Sequence, residues 1–184
     1  LMAEFKNSEP TFAILKHTHA CGVATRPTVL QAWKDALAAD PVSAFGGVLI
    51  CNKQIDEATA REIDELFYEV LIAPSFSDEA LAVLSAKKNR ILLQLHTYPK
   101  ATQQVKSILD GYIVQDMDHL TEDLATIKVA TNRKPSDSEM KDLLFANICV
   151  KHLKSNGIAI VRSGQLLGMG CGQTSRVDSL KHAI

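Results

Sequence analysis

The sequence TFAILKHTHACG, residues 11 to 22, is the most informative segment of the chain. Its first part, residues 12 to 15, is a continuous apolar run of the kind that forms a buried strand. We interpret residues 17 to 22 as the turn beyond the carboxyl end of that strand, where open α/β sheets bind their ligands. Lys16 and His17 lie at this junction. A cation therefore stands beside a base that titrates near neutral pH, and these are the components of a proton-transfer site.

The proton-transfer interpretation of this segment has two alternatives, a solvated structural pair and a metal site. The ammonium of Lys16 disfavours a charged neighbour, which would keep the His17 imidazole neutral and able to accept a proton. The alternative is a solvated lysine with a histidine that caps the turn, since such pairs also occur in structural networks. A metal site would use His17, His19 and Cys21, but no second cysteine or acidic ligand follows at a usable spacing. We therefore expect no zinc.

The composition is that of a globular protein with one sizeable domain or two small ones, with 184 residues of which 46% are hydrophobic. A net charge of −1 with both signs interleaved gives no basic stripe for nucleic acid. No apolar run approaches the roughly 20 residues that span a bilayer, and the first residues lack the apolar centre of a signal peptide. The four cysteines are far apart and are expected to be reduced thiols. We expect a cytoplasmic protein that binds neither nucleic acid nor membrane.

Helical segments alternate with buried strands after residue 26, which predicts an α/β fold with a largely parallel sheet covered on both faces. The predicted helices are residues 28–37, 56–67 and 78–87, and the predicted strands are residues 48–51, 70–73 and 91–95. Residues 97–107 are polar and turn-prone. A second change of composition, at residues 131–135, is the better candidate for a domain boundary.

The last third of the chain begins with a capping-box signature at Ser136 and Glu139, which predicts a long helix. Residues 158–161 and 165–168 then predict a hairpin. Asn156 lies between the two elements, either as a left-handed helix cap or as an amide that orients a reacting group.

Two glycine-containing segments are candidates for ligand contacts. Residues 43–47, SAFGG, place Phe45 beside Gly46, so a flat heteroaromatic ring could stack while the backbone approaches closely. The alternative is a core Phe45 and glycines that only allow the turn. Residues 168–176, GMGCGQTSR, end with Arg176 at a predicted helix start, which favours an anion such as phosphate. The alternative there is that the glycines serve close packing only.

Taken together and in this order, several segments resemble a known enzyme family, that of the bifunctional purine-biosynthesis enzymes. The segments are residues 16–24, 43–47, 72–76, 155–156 and 168–179, and GQTSRVDS at 172–179 is the most specific. The resemblance covers essentially the whole chain and lies in the region responsible for 5-aminoimidazole-4-carboxamide ribonucleotide (AICAR) transformylase activity.

The resemblance implies a fold of two cytidine-deaminase-like three-layer α/β/α units in tandem, without the zinc of the deaminases. Residues 1–130 would form the first unit and residues 131–184 the start of an incomplete second unit. We expect the chain to be truncated on both sides, because it starts in a strand approach and stops inside a helix. In the parent protein an inosine monophosphate (IMP) cyclohydrolase domain is expected before it.

The implied reaction transfers a formyl group from 10-formyltetrahydrofolate to the amine of AICAR, in a cytoplasmic homodimer. The catalytic residues implied by position are Lys16, His17 and Asn156, with Asn156 holding His17 and the reacting groups in place. The substrate-binding residues implied are Phe45, Gly46, Glu69 and Arg176, with Glu69 able to meet the carboxamide.

This chain departs from the family pattern at residues 18–20, where most bacterial members are expected to have an amide and a proline. We interpret His19 as structural. Two rival functions remain, a non-catalytic nucleotide-binding piece and a zinc deaminase. The resemblance leaves open whether a monovalent cation is bound and whether the chain is active by itself, since family active sites draw groups from the missing half and a second subunit.

Overall fold

The structure is a computed structural model that describes residues 1–122 and 124–184. Its elements in chain order are a 3-10 turn at Met2–Phe5, β1 Thr11–Lys16, β2 His19–Thr25, α1 Val29–Ala39, β3 Gly47–Cys51, α2 Glu57–Asp64, β4 Tyr68–Ala73, α3 Asp78–Leu84, β5 Ile91–Gln94, β6 Gln103–Ile108, β7 Gly111–Asp116, α4 Asp137–Lys151, β8 Ile158–Arg162, β9 Gln165–Gly170 and α5 Arg176–Ala183. Among the described helices, none combines the length and apolar character needed to cross a membrane.

The predicted helices are confirmed, and each begins at a polar cap. The side chains of Thr28, Asp56 and Ser77 each accept a hydrogen bond from the backbone N–H three residues further on. The capping box of α4 is also confirmed, with Ser136 and Glu139 bonded to each other's backbone. These caps satisfy N–H groups that have no partner inside a helix, which is why the helix starts could be read from the sequence.

Seven strands form one mixed sheet in the order β5-β4-β3-β1-β2-β9-β8. The α/β class is confirmed, but the expectation of a largely parallel sheet is wrong. Only the β3–β4 and β4–β5 pairings are parallel, because β1 pairs antiparallel with both β2 and β3, and β9 pairs antiparallel with both β2 and β8.

Two strand segments differ from the sequence expectation. Residues 19–22, expected to belong to the turn after β1, are instead the first part of β2, whose side chains are mostly buried and whose backbone pairs along the whole of β1. The region of residues 97–107, expected to be turn-prone, contributes β6, which pairs with β7 in a separate two-stranded sheet. The tight turn between β1 and β2 has no glycine, asparagine or aspartate, so the usual signal of a two-residue hairpin is missing.

Two hydrophobic cores cover the two faces of the large sheet, as expected for three layers. One contains Trp33 from α1 and Ile63 from α2, and the other contains Phe145 and Cys149 from α4. The α5 helix packs closely on β9, because a side chain at Gly168 or Gly170 would collide with the backbone of the helix.

The segment after residue 131 joins the same sheet through β2 and β9. The Arg26 guanidinium reinforces the junction by donating to the Ser163 carbonyl at 2.7 Å and to the Gln165 side chain at 3.1 Å. Asp142 of α4 accepts from the backbone N–H groups of Ser163 and Gly164, both at 2.8 Å. The domain division at 130/131 and the tandem deaminase-like description stay predictions.

Candidate active site

The β1–β2 hairpin presents Lys16 and His17 at one edge of the large sheet. Lys16 is the last residue of β1, and His17 forms the tight turn with a backbone φ of +56°. His17 is exposed, so its ring is not turned into the core. Histidine is among the residues that tolerate this left-handed region better than most. The pair is therefore held by paired strands but accessible from solvent.

Lys16 is directly connected to the SAFGG segment. Its ammonium donates to the Phe45 carbonyl at 2.6 Å. Gly46 follows with φ of +67°, a conformation that other residues rarely adopt, and a Cβ there would lie 3.3 Å from Lys16 Nζ. The structure therefore brings Lys16, Phe45 and Gly46 together, and the ammonium keeps further donor capacity for a ligand.

Phe45 is not a core residue. Its side chain is 61% exposed and packs against Phe67, itself 45% exposed, with ring centroids 5.1 Å apart. The Gly46 N–H donates to the Phe67 carbonyl at 2.8 Å, which ties the two segments together. Phe67 is not among the site residues predicted from the sequence. A signal existed, because Phe67 precedes β4 as Phe45 closely precedes β3, and the starts of adjacent parallel strands meet at one edge.

Glu69 lies at the beginning of β4, where the pairing with β3 is irregular. Gly47 pairs with Tyr68 and Val48 pairs with Val70, so Glu69 is the extra residue of a bulge. Its side chain is exposed. Within residues 1–122 and 124–184 it has no ion pair, which leaves the carboxylate available to a ligand.

Asn156 holds the loop that follows β9. Its side-chain amide donates to the carbonyls of Gln173 at 3.0 Å and Thr174 at 3.1 Å, and its own carbonyl accepts from Ser179 at 2.6 Å. No hydrogen bond joins Asn156 to His17 among the described residues, and the amide oxygen is free to accept one. A role for Asn156 in orienting His17 stays a prediction.

The glycines of the GMGCGQTSR segment have different structural roles. Gly168 and Gly170 serve close packing against α5, whereas Gly172 adopts φ of +69° in open space. The Ser175 side chain caps α5 by accepting from the Asp178 N–H at 3.0 Å. Arg176, the first residue of that helix, is exposed and forms no ion pair with any described residue. Its guanidinium and the helix start together favour an anion.

The strand directions place all of these residues at one edge of the sheet. β1 and β9 end there, while β2, β3, β4 and β8 begin there. The edge is the carboxyl end of β1 but the amino end of the parallel strands, so the usual rule for open parallel sheets does not apply. The structure brings Lys16, Phe45, Gly46 and Phe67 into contact, and Asn156 and Arg176 belong to a second cluster at the same edge.

Burial suppresses the reactivity of Cys21 in β2. Burial raises the pKa of the Cys21 thiol to about 11, with a further contribution from Asp40. Thiolate is the nucleophile and metal ligand, so Cys21 is neither at neutral pH. Within the described part of the chain, no three or more histidine, cysteine or acidic residues are grouped as a metal site would require.

Comparison with known proteins gives a family match over the full length. A family model described as the AICARFT/IMPCHase bienzyme matches residues 1–184. The bifunctional purine biosynthesis protein PurH of Bacteroides thetaiotaomicron is 54% identical over 174 residues, covering 95% of this chain and 34% of that protein. The PurH proteins of Acetivibrio thermocellus and Aquifex aeolicus are 45% and 46% identical, covering 96% and 100% of this chain and 35% and 36% of theirs. The chain thus spans about a third of the length of these curated relatives.

Proposed function

The chain belongs to the AICARFT/IMPCHase bienzyme family, and from that membership we propose that it carries part of an AICAR transformylase active site. The reaction is formyl transfer from 10-formyltetrahydrofolate to the amine of AICAR in purine (IMP) biosynthesis. The single observation that best supports this site is the exposed His17 beside Lys16, whose ammonium is tied to the Phe45 carbonyl. A base, a cation and an aromatic ring are thereby assembled at one accessible edge.

The AICAR amine is a poor nucleophile, because the ring and its carboxamide withdraw electron density. His17 accepts a proton from the amine as its nitrogen attacks the formyl carbon. Lys16 stabilises the negative charge that develops on the formyl oxygen, which is a preorganised electrostatic effect. The new C–N bond forms and the bond from the formyl carbon to N10 of the folate breaks. N10 receives the proton that His17 took from the amine, so tetrahydrofolate leaves and His17 is restored.

The remaining residues bind and orient the substrates. Arg176 at the start of α5 suits an anionic group, and the Phe45 ring with Gly46 suits a flat ring that approaches the backbone closely. Glu69 accepts from the N–H groups of the carboxamide. The free amide oxygen of Asn156 is available to hold His17 or a reacting group.

The parent protein is proposed to be a cytoplasmic homodimer that also has IMP cyclohydrolase activity. Its transformylase region would consist of tandem deaminase-like units, with the first at residues 1–130. Because this chain spans about a third of its relatives, the second unit and the partner subunit would supply the remaining groups of the site.

The decisive test of the acid-base assignment is a His17→Ala variant of the full-length protein. General-base help contributes about 10²- to 10⁴-fold, so steady-state turnover should fall by about that factor. His96→Ala is a matched control, because His96 is also exposed but follows β5 at the opposite edge. Turnover of His17→Ala close to that of the unmodified protein refutes the assignment.

Arg176→Ala tests nucleotide binding separately from chemistry. It should raise the KM for AICAR with a smaller effect on kcat, because it removes a binding group and leaves the proton acceptor in place. Arg162→Ala is the matched control, since Arg162 is exposed at the other end of β8. A loss confined to kcat contradicts the binding role.

A second candidate function applies to the isolated chain, because the site is open at a sheet edge and the chain covers only part of the family protein. By itself the chain would bind the nucleotide without transferring a formyl group. Calorimetric titration of the chain with AICAR, with and without folate, distinguishes the two. Binding without folate dependence and without turnover is the outcome that this second function predicts.

A further inference from the structure

His19 has an unusual environment for a residue expected to be structural. It begins β2 directly opposite Lys16, so the two side chains project from the same face of the hairpin. Its side chain is half-buried, and its Nδ1 atom is fully buried without a hydrogen-bond partner among the described residues. Buried polar atoms nearly always have a partner, so this nitrogen calls for an explanation.

The burial of Nδ1 determines which ring nitrogen carries the hydrogen. A neutral imidazole has one N–H donor and one acceptor nitrogen. An orphaned buried N–H is rarer in proteins than an acceptor with unused capacity, so the hydrogen belongs on Nε2. Nε2 is not among the buried unpartnered atoms and bonds to no described residue. His19 therefore presents its Nε2–H donor to solvent beside the Lys16 ammonium.

We propose that His19 is a substrate-recognition residue whose Nε2–H donates to the carboxamide oxygen of AICAR. This inference rests on the proposed function. An N–H donor needs an acceptor, and the carboxamide supplies the only carbonyl oxygen of the base, whereas the phosphate is better matched by a cation such as Arg176.

The pairing of Lys16 with His19 places the two side chains one strand apart on the same face of the hairpin. The amine and the carboxamide of AICAR are on adjacent ring carbons. Directly opposed residues in a hairpin have Cβ atoms about 4.5–5.5 Å apart. With Lys16 and His17 at the amine, the His19 donor on the neighbouring strand would face the carboxamide on the adjacent ring carbon.

The tautomer can be tested on this chain without any substrate. Two-dimensional ¹H–¹⁵N spectra of histidine-labelled protein distinguish the two ring nitrogens, and a His19→Gln variant assigns the signals. We expect Nδ1 of His19 to have the shift of an unprotonated nitrogen and Nε2 that of a protonated one. A hydrogen on Nδ1 overturns the inference whether or not the proposed function is right.

The contact is tested in the full-length protein by nucleotide affinity. His19→Leu should weaken AICAR binding about three- to tenfold, the effect of one neutral hydrogen bond, while His19→Gln keeps an N–H donor and should bind nearly normally. The same variants should bind 5-aminoimidazole ribonucleotide, which lacks the carboxamide, as the unmodified protein does. Thermal unfolding checks that each variant is folded, and His19→Ala replaces the leucine variant if that one is not.

Equal affinities of His19→Leu and the unmodified protein for AICAR, or equal losses for both nucleotides, overturn the inference. The proposed function fails on a different result, which is an unmodified full-length protein that transfers no formyl group. The two failures are therefore distinguishable.

Discussion

At the scale of single residues, Gly46 leaves room for the Lys16 ammonium beside the backbone. Alanine at its φ of +67° would cost about 1–2 kcal/mol, because left-handed backbone is strained by a Cβ atom. That Cβ would also lie 3.3 Å from Lys16 Nζ and press on the ammonium. We expect Gly46→Ala to lower the melting temperature in thermal denaturation and to reduce turnover of the full-length protein.

Gly111→Ala is the control for this prediction. Gly111 has ordinary backbone geometry, and a Cβ there would meet nothing within 4 Å. Its variant should melt near the unmodified protein. If Gly46→Ala were as stable and as active as Gly111→Ala, the steric account of Lys16 would be wrong.

Sequence patterns located the residues of this edge but not their partners. Lys16 and His17 follow an apolar run and could be recognised locally. The contact between Phe45 and Phe67 depends on two parallel strands starting side by side, which no local pattern encodes. The burial of His19 Nδ1 likewise depends on packing across the hairpin, so His19 was interpreted as structural.

At the scale of elements, the capping box at the start of α4 uses the Glu139 carboxylate, whose pKa is lowered in the folded protein. Hydrogen bonds from the Arg133 guanidinium, at 2.8 and 3.0 Å, and then from the Ser136 N–H lower the pKa of Glu139 to about 2. A carboxyl whose pKa is lowered by folding stabilises the fold above its unfolded pKa of about 4.3. That contribution should be lost as the pH falls from there toward 2.

Arg133→Ala should raise the pKa of Glu139 toward its ordinary value, because it removes the guanidinium hydrogen bonds that lower this pKa most. A ¹³C titration of the side-chain carboxyl measures this directly. Arg133→Lys keeps the charge but not the paired hydrogen bonds. The pKa of Glu139 in that variant should therefore lie between its values in the unmodified protein and in Arg133→Ala. Identical midpoints in all three proteins would contradict the account.

The helices of this protein were predictable because their caps are local. Thr28, Asp56, Ser77 and Ser136 each bond within three residues of their own position. Strands need partners that are distant in sequence. The β1–β2 turn at residues 17 and 18 lacks the usual turn residues, so the sequence predicts a turn through residue 22 although β2 begins at His19. The β6 strand contains polar residues on both faces, so its sequence gives no strand signal.

At the scale of the whole molecule, the candidate site depends on two distant segments sharing one sheet. Lys16 and Phe45 come from the first third of the chain, and Asn156 and Arg176 from the last. The connection is the β2–β9 pairing, with the Arg26 and Asp142 hydrogen bonds to the β8–β9 turn. Because the same pairing joins residues on both sides of 130/131, we expect the described sheet to unfold as one cooperative unit.

Cys51 in β3 and Cys149 in α4 report on the two sides of that boundary. Burial raises the pKa of Cys51 to about 11 and that of Cys149 to about 12, so neither thiol reacts near neutral pH while the protein is folded. Alkylation in increasing urea, read by mass spectrometry of the two peptides, should therefore label both at the same urea concentration. Cys171, half-buried in the loop after β9, is the internal control and should label before unfolding. If Cys149 becomes reactive at clearly lower urea than Cys51, residues 131–184 unfold separately, and the expectation of one cooperatively unfolding sheet is wrong.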